Sequence, residues 1–313
     1  MPPGWLAPLP DDPDARDGTA YSSLNYDWYA SELRDMQSVG MDLIFPVSWG
    51  EHPHFWFRQE TLQLLVQANA VLERPIPIGM FLDTTAQQAM YSDFNGDGYR
   101  FGPQIGQLPL SDERSGYFFY DRHIKGFFEQ IPRAMWATVD GRPIIVSYTA
   151  LCCDNLELSG ALWGAVADAF ARDFGVRPFL IIEDTWFSDA ARNPPAGRRS
   201  IEAVADARYS WGTALNGAST HTLNDFTVSS VGPGFDNSRI NAIVDPRVRQ
   251  RDDGAFLRQS LASVPATADL LFIETWNEWP ESTGVARAAH TNTAGQPLPE
   301  DFYLQIIREW HPK

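Results

Sequence analysis

The sequence predicts an α/β fold, and within that class a (β/α)8 TIM barrel with an incomplete or irregular first strand. Three observations carry this. Short continuous apolar runs, such as FLII at 179–182 and LLFI at 270–273, alternate with longer amphipathic stretches. Parallel strands covered by helices on both faces read in this way. No glycine-rich phosphate fingerprint follows the early strands, which disfavours an open dinucleotide-binding sheet. Finally, 313 residues suit one barrel, a fold that takes about 250 residues as a single domain. A chain of this size buries about 75% of its unfolded surface, so its core needs no metal or disulfide.

The elements follow in order. Residues 1–20 are rich in Pro, Asp and Gly and read as an irregular arm, in which Gly4–Pro8 offers only a poor first strand. Residues 21–313 read as the single barrel domain. Trp28, Leu33, Met36 and Val39 recur at helical spacing over 28–39, with Gly40 as the stop. A strand is expected at 42–48, a helix at 59–73, and a strand at 75–82 that ends at Asp83. A long insertion covers about 84–115. Residues 117–130 look helical, and the turn Asp140-Gly141-Arg142-Pro143 leads into a strand at 143–149. A helix over 159–174 is capped by Gly175. Strands follow at 179–182, 206–212 and 226–232, then a helix at 253–264, the strand at 270–273 and a closing helix at 301–310. That makes seven candidate strands, with the missing one at the start.

Composition narrows the function. Hydrophobic residues are 44% and charged ones 20%, which excludes wholesale disorder. With 24 basic against 40 acidic residues the net charge is −16, so phosphate backbones and anionic lipid are repelled. We therefore expect no nucleic-acid partner, and a neutral substrate, a cation or plain solubility as the meaning of the charge. No apolar run approaches the roughly 18 residues of a membrane span. The N-terminal stretch has neither a basic region nor a long apolar one, so it does not read as a signal peptide. Cys152 and Cys153 are adjacent, a spacing that rarely closes a bridge, and read as small buried residues. The chain is expected to be a monomer. Its 11 Trp suit a core, and also a groove in which the C–H face of a sugar lies on an aromatic ring.

In a βα barrel the site lies at the C-terminal ends of the strands. The residues there are Trp49, Glu51, His52, Asp83, Tyr148, Glu183, Asp184, Trp186, Tyr209, Trp211, Trp276, Asn277, Glu278, Trp279 and Glu281. Carboxylates and tryptophans dominate, and neither G-x-S-x-G nor H-E-x-x-H occurs. Such a set points to glycoside hydrolysis, which needs one group to protonate the leaving oxygen and another to supply or activate a nucleophile. Two neighbouring carboxylates do not both ionise cheaply, so one becomes the acid. Glu278 and Glu281 stand three apart after the last strand, flanked by Trp276 and Trp279. Pro280 fixes its own φ and keeps Trp279 extended, so the chain turns there and both glutamates can serve one cavity. Other roles are open: Glu281 as a turn cap, Glu278 on a backbone amide, Glu183 and Asp184 in an ion pair with arginine or as the conventional partner of Glu278. His52 is either solvated or on a sugar hydroxyl. Trp49, Trp186 and Trp211 are core fillers or sugar platforms.

The stretch Thr275-Trp276-Asn277-Glu278-Trp279-Pro280-Glu281 resembles the T-W-N-E-W-x-E signature of glycoside hydrolase family 99, the endo-α-mannosidase and endo-α-mannanase group, and of related barrels of unassigned activity. Leu33-Arg34-Asp35-Met36 through Val47-Ser48-Trp49, and Val139-Asp140-Gly141-Arg142-Pro143, are similar to the same group. The resemblance implies a TIM barrel acting on α-mannan-like glycans. It implies that Glu278 is the base on the sugar 2-hydroxyl, through a 1,2-anhydro intermediate. Glu281 is then the acid that later activates water. The family commonly has His where this chain has Pro280, and Gly where it has Ser282. A non-catalytic carbohydrate-binding barrel and a calcium-stabilised scaffold are the alternatives.

A second motif is Asp93-Phe94-Asn95-Gly96-Asp97-Gly98-Tyr99. Asp93, Asn95 and Asp97 stand where a calcium loop has its side-chain oxygens, and Tyr99 where it has a backbone carbonyl. Gln104 occupies position twelve, so Asp112 or Glu113 would have to complete a structural Ca2+ site. An Asx-rich turn explains the same residues without a metal. A calcium-bearing glycan hydrolase is expected outside the cytoplasm, extracellular or periplasmic.

Overall fold

The computed structural model describes residues 25–50, 59–85, 107–112, 114–240 and 243–310. Gly4–Pro8, Glu51, His52, the whole Asp93–Tyr99 motif, Gln104 and Glu113 lie outside the described residues. Two compact units emerge, one of 1–42, 67–74 and 209–313, the other of 43–66 and 75–208. The chain is α/β with a parallel sheet.

The second unit holds the longer sheet. Strand β1 (Val47–Ser48) pairs in parallel with β2 (Met80–Asp83), β2 with β5 (Arg142–Tyr148), and β5 with β7 (Phe179–Glu183). Next to β7 comes β8 (Ala207–Tyr209). Between these lie three short strands, β3 (Leu108–Pro109), β4 (Thr138–Val139) and β6 (Cys153–Asp154). β3 pairs with β6, and β4 forms a hairpin with β5. That hairpin turns on Asp140 and Gly141, at φ 50° and 74°, as two-residue hairpin loops require. Strands β1 and β2 are shorter than their apolar runs, leaving only an isolated bridge from Ile44 to Ile78. Pro46, Pro75 and Pro77 explain this, since proline cannot donate to a ladder.

Helices cover this sheet. The expected 117–130 helix is two helices, α3 (Arg114–Phe119) and α4 (Lys125–Gln130), joined by a π turn at Tyr120–Ile124. Helix α5 (Ser159–Phe174) ends at Gly175 with φ 76°, as its sequence indicates. Gly116 lets α3 approach α5, for a Cβ there would lie 2.6 Å from the Ala165 Cβ. Phe170 is fully buried among Tyr120, Phe128, Trp136 and Phe174, with ring centroids 4.5–6.3 Å apart. Phe170→Ala should therefore cost about 3–5 kcal/mol in urea unfolding, as aromatic-to-alanine cavities do; a loss under about 1 kcal/mol would show that this cluster is not a core.

Cys152 and Cys153 require a correction. They are buried, as expected, but bonded to each other. The chain turns tightly here, with the Cys153 N–H on the Ala150 carbonyl at 3.1 Å, and this brings neighbouring side chains together.

The first unit contains α1 (Tyr26–Ser38), which starts two residues before the expected helix because Asn25 caps it, accepting from the Asp27 and Trp28 amides. Helix α2 spans Gln59–Ala70, of which residues 67–70 belong to this unit. A short helix in the second unit, α6 (Asp189–Arg192), precedes β8. Next in the first unit are α7 (Thr213–Asn216), β9 (Ser219–Leu223) and β10 (Phe226–Val231). β9 pairs antiparallel with β10, and β13 (Leu270–Ile273) pairs with β10 in parallel. Between β10 and β13 lie the hairpin of β11 (Phe235–Asp236) with β12 (Val248–Arg249) and helix α8 (Ala255–Ala262). Helix α9 (Phe302–Glu309) closes the unit. Val231, Leu257, Leu261, Val285, Leu304 and Ile307 form its core. The strand at 270–273 and the helices at 253–264 and 301–310 thus stand where the apolar pattern puts them.

Candidate active site

The C-terminal strand ends of the second unit carry one row of predicted residues. Ser48 pairs with Leu82, Leu82 with Ser147, and Ser147 with Ile182. One residue further on stand Trp49, Asp83, Tyr148 and Glu183. The parallel register therefore delivers four of the expected site residues to one edge. Asp83 accepts from the Trp49 indole N–H at 2.8 Å, and from the Thr85 amide and hydroxyl at 2.8 and 2.7 Å. His123 lies against the residue after Trp49, for a Cβ on Gly50 would come within 1.9 Å of its Nδ1. Burial pushes the His123 pKa down to about 3, so this ring stays neutral. Tyr148 stacks on Phe81, 6.0 Å between centroids.

The acidic residues at the end of β7 are already committed. Glu183 is 5% exposed and caps the following turn, accepting from the Thr185 amide at 2.9 Å and from its hydroxyl. Asp184 is ion-paired with Arg208, the ordinary role open to it from sequence. Trp186 corrects the expectation of a sugar platform. It is fully buried, its ring edge-on to Trp163 at 5.4 Å and Phe119 at 6.4 Å, because the turn after β7 directs it into the helix layer. An open cleft of about 370 Å3 in this unit is lined by Tyr117, Gly164, Arg198 and Arg199, and holds none of the predicted site residues.

The loop after β13, in the first unit, is built residue by residue. Glu274 donates its amide to Val231 at 2.8 Å, extending the pairing of β10 with β13. Thr275 Oγ1 accepts the Glu278 amide at 3.1 Å and lies 2.9 Å from the Thr283 hydroxyl. The Thr283 amide in turn donates to the Glu278 carbonyl at 3.1 Å, so the Glu278 backbone is clamped on both sides. Ser282 N–H closes a turn onto the Trp279 carbonyl at 3.0 Å, with Pro280 at the position that proline favours. The Glu281 carbonyl accepts the Asp236 amide at 2.9 Å. Ser282 sits at φ 54°, the left-handed region in which the family's usual glycine is at ease. Trp276 donates its indole N–H to Glu32 of α1. The Trp279 ring lies against Gly284, where a Cβ would be 2.9 Å from it. Asn277, Glu278, Trp279 and Glu281 are all half-buried, and so is Trp211 at the turn before α7.

Electrostatics separates the acids. Desolvation alone raises the Glu281 pKa, and its carboxyl has no hydrogen-bond or ion-pair partner among the described residues. A carboxyl held that way keeps its proton further toward neutrality, as a general acid must. Sequence reasoning missed Glu274, which is 2% exposed and whose pKa burial pushes up to about 8. Its signal was an acidic residue directly after the apolar run LLFI. Asp112, one carboxylate considered for completing a calcium site, is held by Arg114 at 2.5 Å, and no group of metal-ligating residues occurs among the described residues. Nor is any described helix long and apolar enough to cross a membrane.

Residues 19–311 match the family described as "Domain of unknown function (DUF5010)". The chain belongs to this family. The DUF5010 chain also resembles curated proteins. It is 30% identical over 97 residues to glycoprotein endo-alpha-1,2-mannosidase of Rattus norvegicus, covering 29% of this chain and 21% of that protein. It is 29% identical over 90 residues to glycoprotein endo-alpha-1,2-mannosidase-like protein of Danio rerio, covering 26% and 20%. The chain therefore spans about a fifth of the length of the curated relatives it matches. Among solved structures, the GH99 endo-alpha-mannosidase from Bacteroides thetaiotaomicron aligns over 93% of this chain and 80% of its own, with TM-score 0.60 and 17% identity. A glycoside hydrolase-like protein aligns over 92% and 86%, with TM-score 0.55 and 12% identity. These structures share the fold of the DUF5010 chain, in keeping with the resemblance to family 99.

Proposed function

We propose that the protein is a glycoside hydrolase that cleaves internal α-mannosidic bonds in a neutral glycan, on the (β/α)8 barrel that the sequence predicts. The observation that carries this is the loop after β13, which clamps the Glu278 backbone and leaves the Glu281 carboxyl, three residues later, desolvated and without a partner among the described residues. In an α-mannoside the 2-hydroxyl lies trans to the leaving oxygen. Glu278 takes the 2-hydroxyl proton as that oxygen bonds to the anomeric carbon, while Glu281 gives its proton to the departing oxygen. Water, deprotonated by Glu281, then attacks the anomeric carbon and opens the 1,2-anhydro ring, whose oxygen regains the proton from Glu278. Asn277, Trp276, Trp279 and Trp211 supply polar and aromatic contacts. Endo-alpha-mannosidases among the structural neighbours support the reading.

The test is incubation with α-mannan and, as controls, β-glucan and galactan, followed by mass spectrometry of released fragments. Fragments from α-mannan alone are expected. Binding in calorimetry without new reducing ends would indicate a carbohydrate-binding barrel instead.

We also propose a structural Ca2+ on Asp93, Asn95, Asp97 and the Tyr99 carbonyl, residence outside the cytoplasm, and a monomeric state. Chelation by EGTA should then lower the melting temperature, with recovery on calcium but not on magnesium addition, since Mg2+ demands a tighter octahedral shell; an unchanged melt would remove calcium from the account.

A further inference from the structure

We propose that Glu274 is a positioning residue of the hydrolytic site, tying the turn that carries Trp211 to the root of the loop that carries Glu278 and Glu281. The inference rests on the hydrolase reading and names a part of that site. Glu274 Oε2 accepts the Gly212 amide at 3.0 Å and the Ala214 amide at 3.4 Å. Gly212 directly follows Trp211 and adopts φ 89°, a conformation that frees its N–H to point at the carboxyl. On the other side Glu274 is bonded to Thr275, whose hydroxyl holds the Glu278 amide. Two links thus run from one buried residue: to the Trp211 turn through its carboxyl, and to Glu278 through its main-chain bond to Thr275.

Packing leaves the tether little freedom. Gly232, just after β10, has no space for a Cβ, which would lie 2.4 Å from Ala214 Cα, so α7 is pressed against the strand end that pairs with β13. A carboxyl is a costly group to bury, and Glu274 Oε1 accepts no hydrogen bond among the described residues. Its side chain faces the Gly212 and Ala214 amides and makes no ion pair among the described residues. An apolar residue would fill the volume equally well, so the acceptor is what the position supplies.

Three variants separate acceptor from volume. Glu274→Gln keeps an acceptor, Glu274→Leu fills the space without one, and Glu274→Ala removes both. Steady-state cleavage of α-mannan should show kcat/KM lowered about 100-fold in E274L, with KM raised and kcat reduced, as misplacement near 1 Å produces. E274Q should stay within about tenfold of wild type. Hydrogen exchange of the 210–216 amides, which needs no turnover, should quicken in E274L and stay slow in E274Q. Unchanged kcat, KM and exchange in E274L would overturn the proposal. A wild-type chain without turnover, with the exchange result as expected, would overturn the hydrolase reading and leave the tether supported.

Discussion

Glu281→Gln should lower the rate of α-mannan cleavage by about 1,000-fold, within the 100- to 10,000-fold range of a general acid, without lowering the melting temperature. The amide has nearly the same shape and no proton to give. No hydrogen bond or ion pair among the described residues is lost, since the Glu281 carboxyl has none and its main-chain carbonyl, on Asp236, is unaffected. Glu278→Gln should cost a similar factor, because the 2-hydroxyl then keeps its proton. The double variant should be scarcely worse than either single one, as residues acting in one step are not additive. The pH profile adds a sign. Burial raises the Glu281 pKa, so the protonated form survives above the ordinary glutamate range. The alkaline limb of kcat/KM should lie correspondingly above pH 4.5, and should be absent from the residual rate of E281Q. Steady-state assays from pH 4 to 9 check both points; full activity in either single variant would remove that residue from the mechanism.

Stability against pH should depend on Glu274 in the direction opposite to an ion-paired carboxylate. Its folded pKa is raised from 4.5 to about 8, because burial penalises the charge more than Thr213 and the Ala214 and Gly212 amides favour it. The native chain therefore holds a proton that the unfolded chain releases. Stability is whole below about pH 4.5 and falls as the pH rises toward 8, by an amount on the order of 4 kcal/mol. Glu274→Gln cannot ionise, so it lacks that loss. The gap between E274Q and wild type in urea unfolding should widen in favour of E274Q from pH 5 to 9. Glu281 titrates in the same sense in both proteins and cancels in the difference. A constant gap would mean that Glu274 titrates normally.

Much of this was legible in the residues. The all-apolar runs at 179–182 and 270–273 are both strands, the first buried along its whole length as such a run in a parallel sheet is, the second half-buried throughout. The helix at 159–174 was exact to the residue, since Gly175 can take the left-handed cap. Strand β9 was not foreseen: Ser219-Thr220-His221-Thr222-Leu223 is polar on its face and is fixed by pairing with β10 and the turn Asn224-Asp225, both at positive φ. The π turn at Tyr120–Ile124 also has no local signal; Tyr120 bonds Asp173 of α5, a tertiary contact. For the site, the sequence marks Trp49 and Asp83 as strand-end residues, but their mutual hydrogen bond depends on the register of β1 with β2. Trp186 shows the limit of composition: a tryptophan beside a strand end is polar at one atom only, and helix packing decided its direction. Glu274 has no local signal of its role, because its partners lie in the Gly212–Ala214 turn, about sixty residues earlier in the chain.

The central claim is that Glu278 and Glu281 together cut an α-mannosidic bond. The most direct measurement is the chain length of α-mannan after incubation with the wild-type protein and with each glutamine variant, read by size-exclusion chromatography with light scattering. The account predicts shortened chains from the wild type and intact polymer from E278Q and E281Q over the same hours. Mannan of unchanged length in the wild-type reaction, or equal shortening by a variant, would contradict it.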